Sequence, residues 1–110
     1  MAIIEEYMPS IARQDTKQFK ITIRDVNDEL VEASPVKLTF VKDGAAESPM
    51  GPYTCSRESK GIYYLYKALP KNCTLGDWVR QWEWWIGSAP GSYQSLLRVV
   101  DLTEVVETYG

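Results

Sequence analysis

Apolar residues in this chain recur at every second position, in short stretches separated by turn-forming residues. In KQFKITIRDV, Phe19, Ile21 and Ile23 alternate with Lys20, Thr22 and Arg24. In SPVKLTFVKDG, Val36, Leu38 and Phe40 alternate with Lys37, Thr39 and Val41; Pro35 suits a first strand position and Asp43-Gly44 closes the run. Successive side chains on a strand point to opposite faces, so this period predicts half-buried strands. GIYYLYKAL, GDWVRQWEWWIG and YQSLLRVVDL add three further runs dense in β-forming residues. Asn27 to Glu29 reads as a turn, after which Leu30 and Val31 return to extended backbone. Residues 44–60, rich in Gly, Pro, Ser and Glu, read as a long loop with one short strand near Tyr53. Five strands are clear, about seven fit, and there is no long helix. The pattern predicts an all-β fold, a small antiparallel β-sandwich.

All four tryptophans fall within one of these runs. Alternation puts Trp78, Arg80, Trp82, Trp84 and Ile86 on one face, and Val79, Gln81, Glu83 and Trp85 on the other. The first face is mostly aromatic and is assigned to the core, with Phe19, Ile21, Ile23, Leu38, Phe40, Leu65, Leu97 and Val99. Arg80 is the anomaly. It is expected to lie against an indole near the sandwich edge, or to be turned outward by a bulge. Trp85 is left on the outer face, to be covered by the N-terminal residues, by Tyr93 or by another subunit. IYYLYKAL poses the same question, because both of its faces are apolar: Tyr63, Leu65 and Leu69 on one, Ile62, Tyr64 and Tyr66 on the other. A two-layer sandwich has core on one side only, so an arm or a partner must cover the second.

A chain of 110 residues fits one domain. The sandwich is placed at residues 17–100, with an N-terminal arm at 1–16 and a short C-terminal tail at 101–110. Pro9 prevents one helix through the arm, while Leu102, Val105 and Val106 in the tail fall at helical spacing. Apolar residues outside a core are a liability in water. Ile3, Ile4, Tyr7, Met8 and Ile11 in the arm, and Val105, Val106 and Tyr109 in the tail, are therefore expected to pack on neighbouring proteins, with Tyr64, Tyr66 and Trp85 as an exposed aromatic face beside them.

The chemistry legible in the sequence is thin. A net charge of −3 argues against nucleic-acid binding. No apolar run approaches the roughly 20 residues that span a bilayer, so no membrane partner is expected. Glutamates near the start argue against a signal peptide. There is no histidine, which removes the commonest general base and the usual zinc ligands. Cys55 and Cys73 are two thiols or one disulfide; sequence leaves both open. Asp25, Asp28 and Glu29 match no calcium-loop pattern and read as a solvated turn. No serine has a histidine to activate it, and no Gly-rich loop precedes a helix. Neither catalytic residues, nor a cofactor, nor a metal is expected, and the chain reads as no enzyme.

The stretch KGIYYLYKALPKNCTLGDWVRQWEWWIGSAPGSYQSLLRVV resembles immunoglobulin-like and macroglobulin-like domains in the placement of Gly61 and Tyr63, Leu69-Pro70, Leu75-Gly76-Asp77-Trp78, and Arg98-Val99-Val100. With its Trp-rich late strand it also resembles small Ig-like structural proteins of tailed-bacteriophage virions. That resemblance implies an Ig-like sandwich that decorates the capsid or packs in the neck at the head–tail connection. It would be made in the host cytoplasm and carried in the virion in multiple copies. Its implied partners are other virion proteins: portal, adaptor, capsid or tail subunits. The chain departs from antibody-type domains in having no Cys…Trp…Cys core and in carrying its tryptophans late. The alternative expectation is a carbohydrate- or ligand-binding sandwich that uses exposed Trp and Tyr.

Overall fold

Alternating strands bury their apolar faces only by pairing sheet against sheet, and this chain does so with nine strands among its described residues. The structure, a computed structural model, describes residues 2–43 and 48–101, and among these every regular element is a strand. A four-stranded sheet has the order β1-β3-β7-β6, built from β1 (Ala2–Glu5), β3 (Lys17–Arg24), β7 (Ile62–Lys67) and β6 (Ser56–Ser59). A five-stranded sheet has the order β2-β9-β8-β4-β5, built from β2 (Ser10–Ala12), β9 (Ala89–Val100), β8 (Gly76–Ile86), β4 (Val36–Lys42) and β5 (Met50–Thr54). All pairings are antiparallel except β2 with β9, which is parallel. A first strand divided between two facing sheets, with this order behind it, is an Ig-like sandwich.

The core sits between the sheets where alternation put it. Phe19, Ile21, Ile23, Leu38, Phe40, Trp78, Trp82, Leu97 and Val99 are buried, and Leu65 packs against them half-buried. Phe19 and Phe40 meet edge to face across the two layers, with ring centroids 5.1 Å apart. Trp78, Trp82 and Trp84 dominate the filling. Each removes ~150–250 Å² from water, roughly 4–6 kcal/mol of apolar transfer at about 25 cal/mol per Å² before entropy is subtracted.

Three expectations are corrected here. The N-terminal residues are not an arm outside a sandwich that begins at residue 17. β1 pairs with β3 from Ala2↔Arg24 to Glu5↔Ile21, and β2 pairs with β9 from Ser10↔Arg98 to Ala12↔Val100. Pro9 breaks a strand there, at the point where the chain changes sheets. Second, residues 44–60 hold two strands instead of one, β5 at 50–54 where a short strand was expected near Tyr53 and β6 at 56–59. Third, the N-terminal residues do not cover the outer side of β7: β1 pairs edge-on with β3, and Tyr66 is 62% exposed. Leu102, Val105, Val106 and Tyr109 lie outside the described residues.

Two glycines are set by geometry. Gly87, with Ser88, makes the turn that joins Ile86 to Ala89 and takes φ +63°, a conformation most side chains avoid. Gly91 lies opposite Trp84 in the β8–β9 register, and a Cβ built there would stand 2.3 Å from the indole nitrogen. The indole is rigid and buried, so Gly91→Ala is expected to destabilise by about 1–3 kcal/mol. Thermal unfolding should show this as a fall in Tm of roughly 4–8 °C per kcal/mol for a domain of this size.

Candidate functional site

A cation on the inward face of β8 needs an anion, and the chain supplies one from the facing sheet. Arg80 and Glu5 have side chains only 5% and 8% exposed, with Arg80 Nη2 3.2 Å from Glu5 Oε1. The guanidinium also donates to Ser95 Oγ and to the Leu96 carbonyl, both at 2.9 Å. The second Glu5 oxygen accepts the indole N–H of Trp82. Burial pushes the Arg80 guanidinium down from its ordinary value, while Glu5 and Tyr93 act the other way. Arg80 thus neither lies on an indole at the edge nor turns outward on a bulge, as the sequence had suggested. It pairs with Glu5, which shares the inward parity of Ile3 on β1.

This pair borders a cleft of about 370 Å³ with Tyr7, Met8 and Pro9 of the β1–β2 crossing on one side and Tyr93, Ser95 and Leu96 of β9 on the other. Removing one member of a buried, hydrogen-bonded pair leaves an uncompensated charge, a cost of about 3–5 kcal/mol, whereas replacing both by apolar groups is often near neutral. Glu5→Ala alone is therefore expected to lose about that much in chemical denaturation, and Glu5→Leu combined with Arg80→Met to recover most of it. A single-variant loss well below ~1 kcal/mol would show that the pair does not hold β1 in place.

A second polar cluster lies on the opposite side of the sandwich. Tyr63 donates its hydroxyl to Glu32 Oε2 at 2.8 Å and accepts the Ala33 N–H at 2.7 Å. Arg57 Nε reaches both Glu32 oxygens at 2.9 Å, and the Arg57–Glu32 pair is half exposed. Hydrogen bonds from Arg57 first, and from Tyr63, hold the Glu32 carboxyl below its ordinary 4.5. A lowered carboxyl contributes stability above its unfolded pKa and loses it as pH falls through the folded value. The stability difference between the native chain and Glu32→Gln should therefore stay flat above about pH 5.5 and shrink below 4.5, in denaturation measured across pH.

The residues expected at an interface divide. Ile11 is 2% exposed, and Ile3 and Met8 pack half-buried against the core, so these three hold the sandwich together. Ile4, Tyr64 and Tyr66 share the outer face of the four-stranded sheet, with β3 between Ile4 and the tyrosines. Ile4 lies opposite Thr22, which lies opposite Ile62, and Tyr64 and Tyr66 follow on the same face of β7. Their rings are 5.7 Å apart and inclined at 73°, and Gln18 donates to the Tyr66 hydroxyl at 3.3 Å. Lys20 of β3 reaches across β7 to Glu58 of β6 at 3.2 Å, so this ion pair crosses the same face beside Tyr64. Tyr7 stands exposed on the crossing between the sheets. Trp85 does not belong with the tyrosines, which corrects the single aromatic face expected of them. It is on the outer face of the five-stranded sheet, and neither Tyr93 nor the N-terminal residues cover it. Tyr93 faces the other way, opposite Trp82, and Trp85 instead borders a shallow depression with Ser34, Pro35 and Lys37.

Two features escaped the sequence reading. The exposed Leu96 aligns with Val79 and Val41 in an apolar row across three strands of the five-stranded sheet. Glu5 was the other, and the signal for it was present: a buried arginine in an aromatic row, and one acidic residue at inward parity on an apolar strand. Both cysteines are thiols. Burial pushes the Cys55 thiol up to about 12, which keeps it protonated and a poor nucleophile. Asp25 accepts the N–H groups of Asn27 and Glu29, the local bonding of a tight turn. Among the described residues no group of three or more His, Cys, Asp or Glu is placed to hold a metal, and no helix is long and apolar enough to cross a membrane.

No family model matches the chain, and no curated protein matches its sequence. Solved structures do match its shape. A superoxide reductase (neelaredoxin) from Ignicoccus hospitalis aligns with a TM-score of 0.65 at 10% identity, over 91% of this chain and 81% of that one. The Lin-41 filamin domain aligns with a TM-score of 0.55 at 13% identity, over 90% of each chain. An AA10 lytic polysaccharide monooxygenase from Streptomyces lividans aligns with a TM-score of 0.50 at 11% identity, over 86% of this chain and 59% of that one. Likeness at such identities shows a shared Ig-like sandwich, and the activities in two of these names belong to those proteins.

Proposed function

We propose that this chain is a non-enzymatic structural module that binds other proteins through the outer face of its four-stranded sheet. In its more specific form it is an Ig-like virion protein of a tailed phage, at the neck or on the capsid. The observation that carries the reading is the outer row of Ile62, Tyr64 and Tyr66 on β7, with Ile4 two strands away on the same face and the Lys20–Glu58 pair crossing between the strands. Exposed tyrosines with aliphatic neighbours are enriched at protein interfaces. The virion setting rests on the sequence resemblance alone. A sugar platform is disfavoured by ring geometry. Tyr64 and Tyr66 stand at 73° to each other, so they offer no flat surface for a pyranose ring, and Trp85 is on the far face.

Two readouts test this. Ile4→Glu with Tyr66→Glu changes exposed side chains, so thermal stability should move by no more than about 0.5 kcal/mol per site. Particles purified from cells that express the gene at its native locus should contain the native chain in many copies and lose the variant. A chain absent from those particles overturns the virion setting. Full incorporation of the variant overturns the patch, and saturable quenching of tryptophan fluorescence by oligosaccharides would favour the sugar-binding alternative.

A further inference from the structure

β9 is longer than the strand beside it. On one side it pairs with β8 from Ala89 to Val99, but on the other it pairs with β2 only at Arg98 to Val100. Among the described residues, 89–97 therefore pair with no strand on that side. Arg98 directs its N–H away from β8, to the Pro9 carbonyl at 3.0 Å. Backbone direction alternates along a strand, so Ser92, Gln94 and Leu96 turn their N–H and C=O groups to the open side as well. Natural sandwiches shield such edges with charge, proline or brevity. The other edges here do so: β6 carries Arg57 and Glu58, β5 carries Pro52, β1 has four residues and ends in Glu5, and β2 has three. The open stretch of β9, APGSYQSLL, is long and has no charged residue, and its one proline, Pro90, lies near one end.

We propose that this edge binds the same edge of a second copy of the chain, antiparallel and centred on Tyr93, to join two five-stranded sheets into one. The self-match is what selects the occupant. β2 occupies residues 98–100, and Tyr7 to Pro9 face Ser95 and Leu96 across the cleft, so overlap lies within 89–97, whose midpoint is Tyr93. A two-fold there sets Ser92 opposite Gln94 of the second copy, both with free N–H and C=O groups. It sets Pro90, which has no N–H, opposite Leu96, whose carbonyl already accepts from Arg80 at 2.9 Å. The position that lacks a donor thus meets the acceptor that is already used. The same pairing lays the Pro90 ring against the Leu96 side chain, which is 67% exposed in the single chain. No like charges meet, because the stretch carries none. This self-pairing goes beyond the particle reading and holds or fails without it, since it is read in solution on the purified chain alone.

Sedimentation equilibrium of the purified full chain is expected to show a monomer–dimer equilibrium. Gln94→Pro removes an N–H that points away from β8, and an edge strand accepts proline. It should raise the dimer dissociation constant about 10-fold or more, since its pairing occurs twice across the two-fold. Tyr93→Cys gives a second readout that does not depend on that variant folding. Directly opposed residues of a non-hydrogen-bonded pair have Cα atoms about 4.5 Å apart, within disulfide reach, so mild oxidation should give a covalent dimer. Gln94→Cys, which faces Ser92 instead of itself, should not, and the unsubstituted chain controls for Cys55 and Cys73. A chain that stays monomeric up to ~1 mM, where any Kd tighter than about 1 mM would show, overturns the proposal. So does a dimer indifferent to Gln94→Pro, or one in which Tyr93→Cys fails to cross-link.

Discussion

A charged side chain in the middle of a tryptophan face is tolerable only if an opposite charge reaches it, and that requirement organises the N-terminal half of this fold. Arg80 is fixed by its parity on β8, between Trp78 and Trp82, so it cannot turn outward without moving three indoles. The anion must come from the facing sheet. Glu5 supplies it, and because Glu5 is on β1, neutralising Arg80 also docks β1 against β3 in register. Trp82 completes the arrangement by donating its indole N–H to the same carboxylate. A buried ion pair adds little net stability over an apolar pair of equal shape. What it adds here is position: it selects one register for a four-residue strand whose backbone pairing alone would be weak.

Once β1 is held in the four-stranded sheet, the chain must cross to reach β9, and it does so at Glu6 to Pro9. Proline suits that crossing, because it donates no hydrogen bond and neither sheet needs one there. The arm expected to reach for other proteins is spent on its own domain. Ile3, Met8 and Ile11 face inward for the same reason that Ile21 and Ile23 do. What remains exposed is specific: Ile4 at the outward parity of β1, and Tyr7 on the crossing itself.

The legible part of the fold was the part with strict period two. Phe19, Ile21, Ile23, Leu38, Phe40, Trp78, Trp82, Leu97 and Val99 were assigned to the core from alternation and are buried, because a strand offers only two directions to a side chain. The outward tyrosines of β7 were recognised as surplus to a two-layer core, but the arm expected over them lies elsewhere and Tyr66 is exposed. Illegible was everything set by pairing between distant strands. Three-residue and four-residue strands such as β2 and β6 carry too little pattern to show a period, and β6 is exposed throughout, so its SRES sequence looks like loop. The face Trp85 shares was misread for a related reason. Parity says that a residue points outward, but not from which sheet, and that depends on topology.

The exposed edge of β9 follows from the same crossing that hides the arm. β2 can lengthen only by starting earlier, yet residues before Pro9 are held near β1 by the Glu5–Arg80 pair and by the Glu6 N–H to Lys20 carbonyl bond of 3.0 Å. Each residue gained by β2 along β9 would be lost from β1 along β3. The division between the sheets therefore sets how much of β9 stays open. Arg80 ties the two together, since one guanidinium reaches both Glu5 on β1 and the Leu96 carbonyl on the open side of β9. The residue that anchors the first strand also occupies the last open acceptor before β2 begins, so the core and the free edge are set by one side chain.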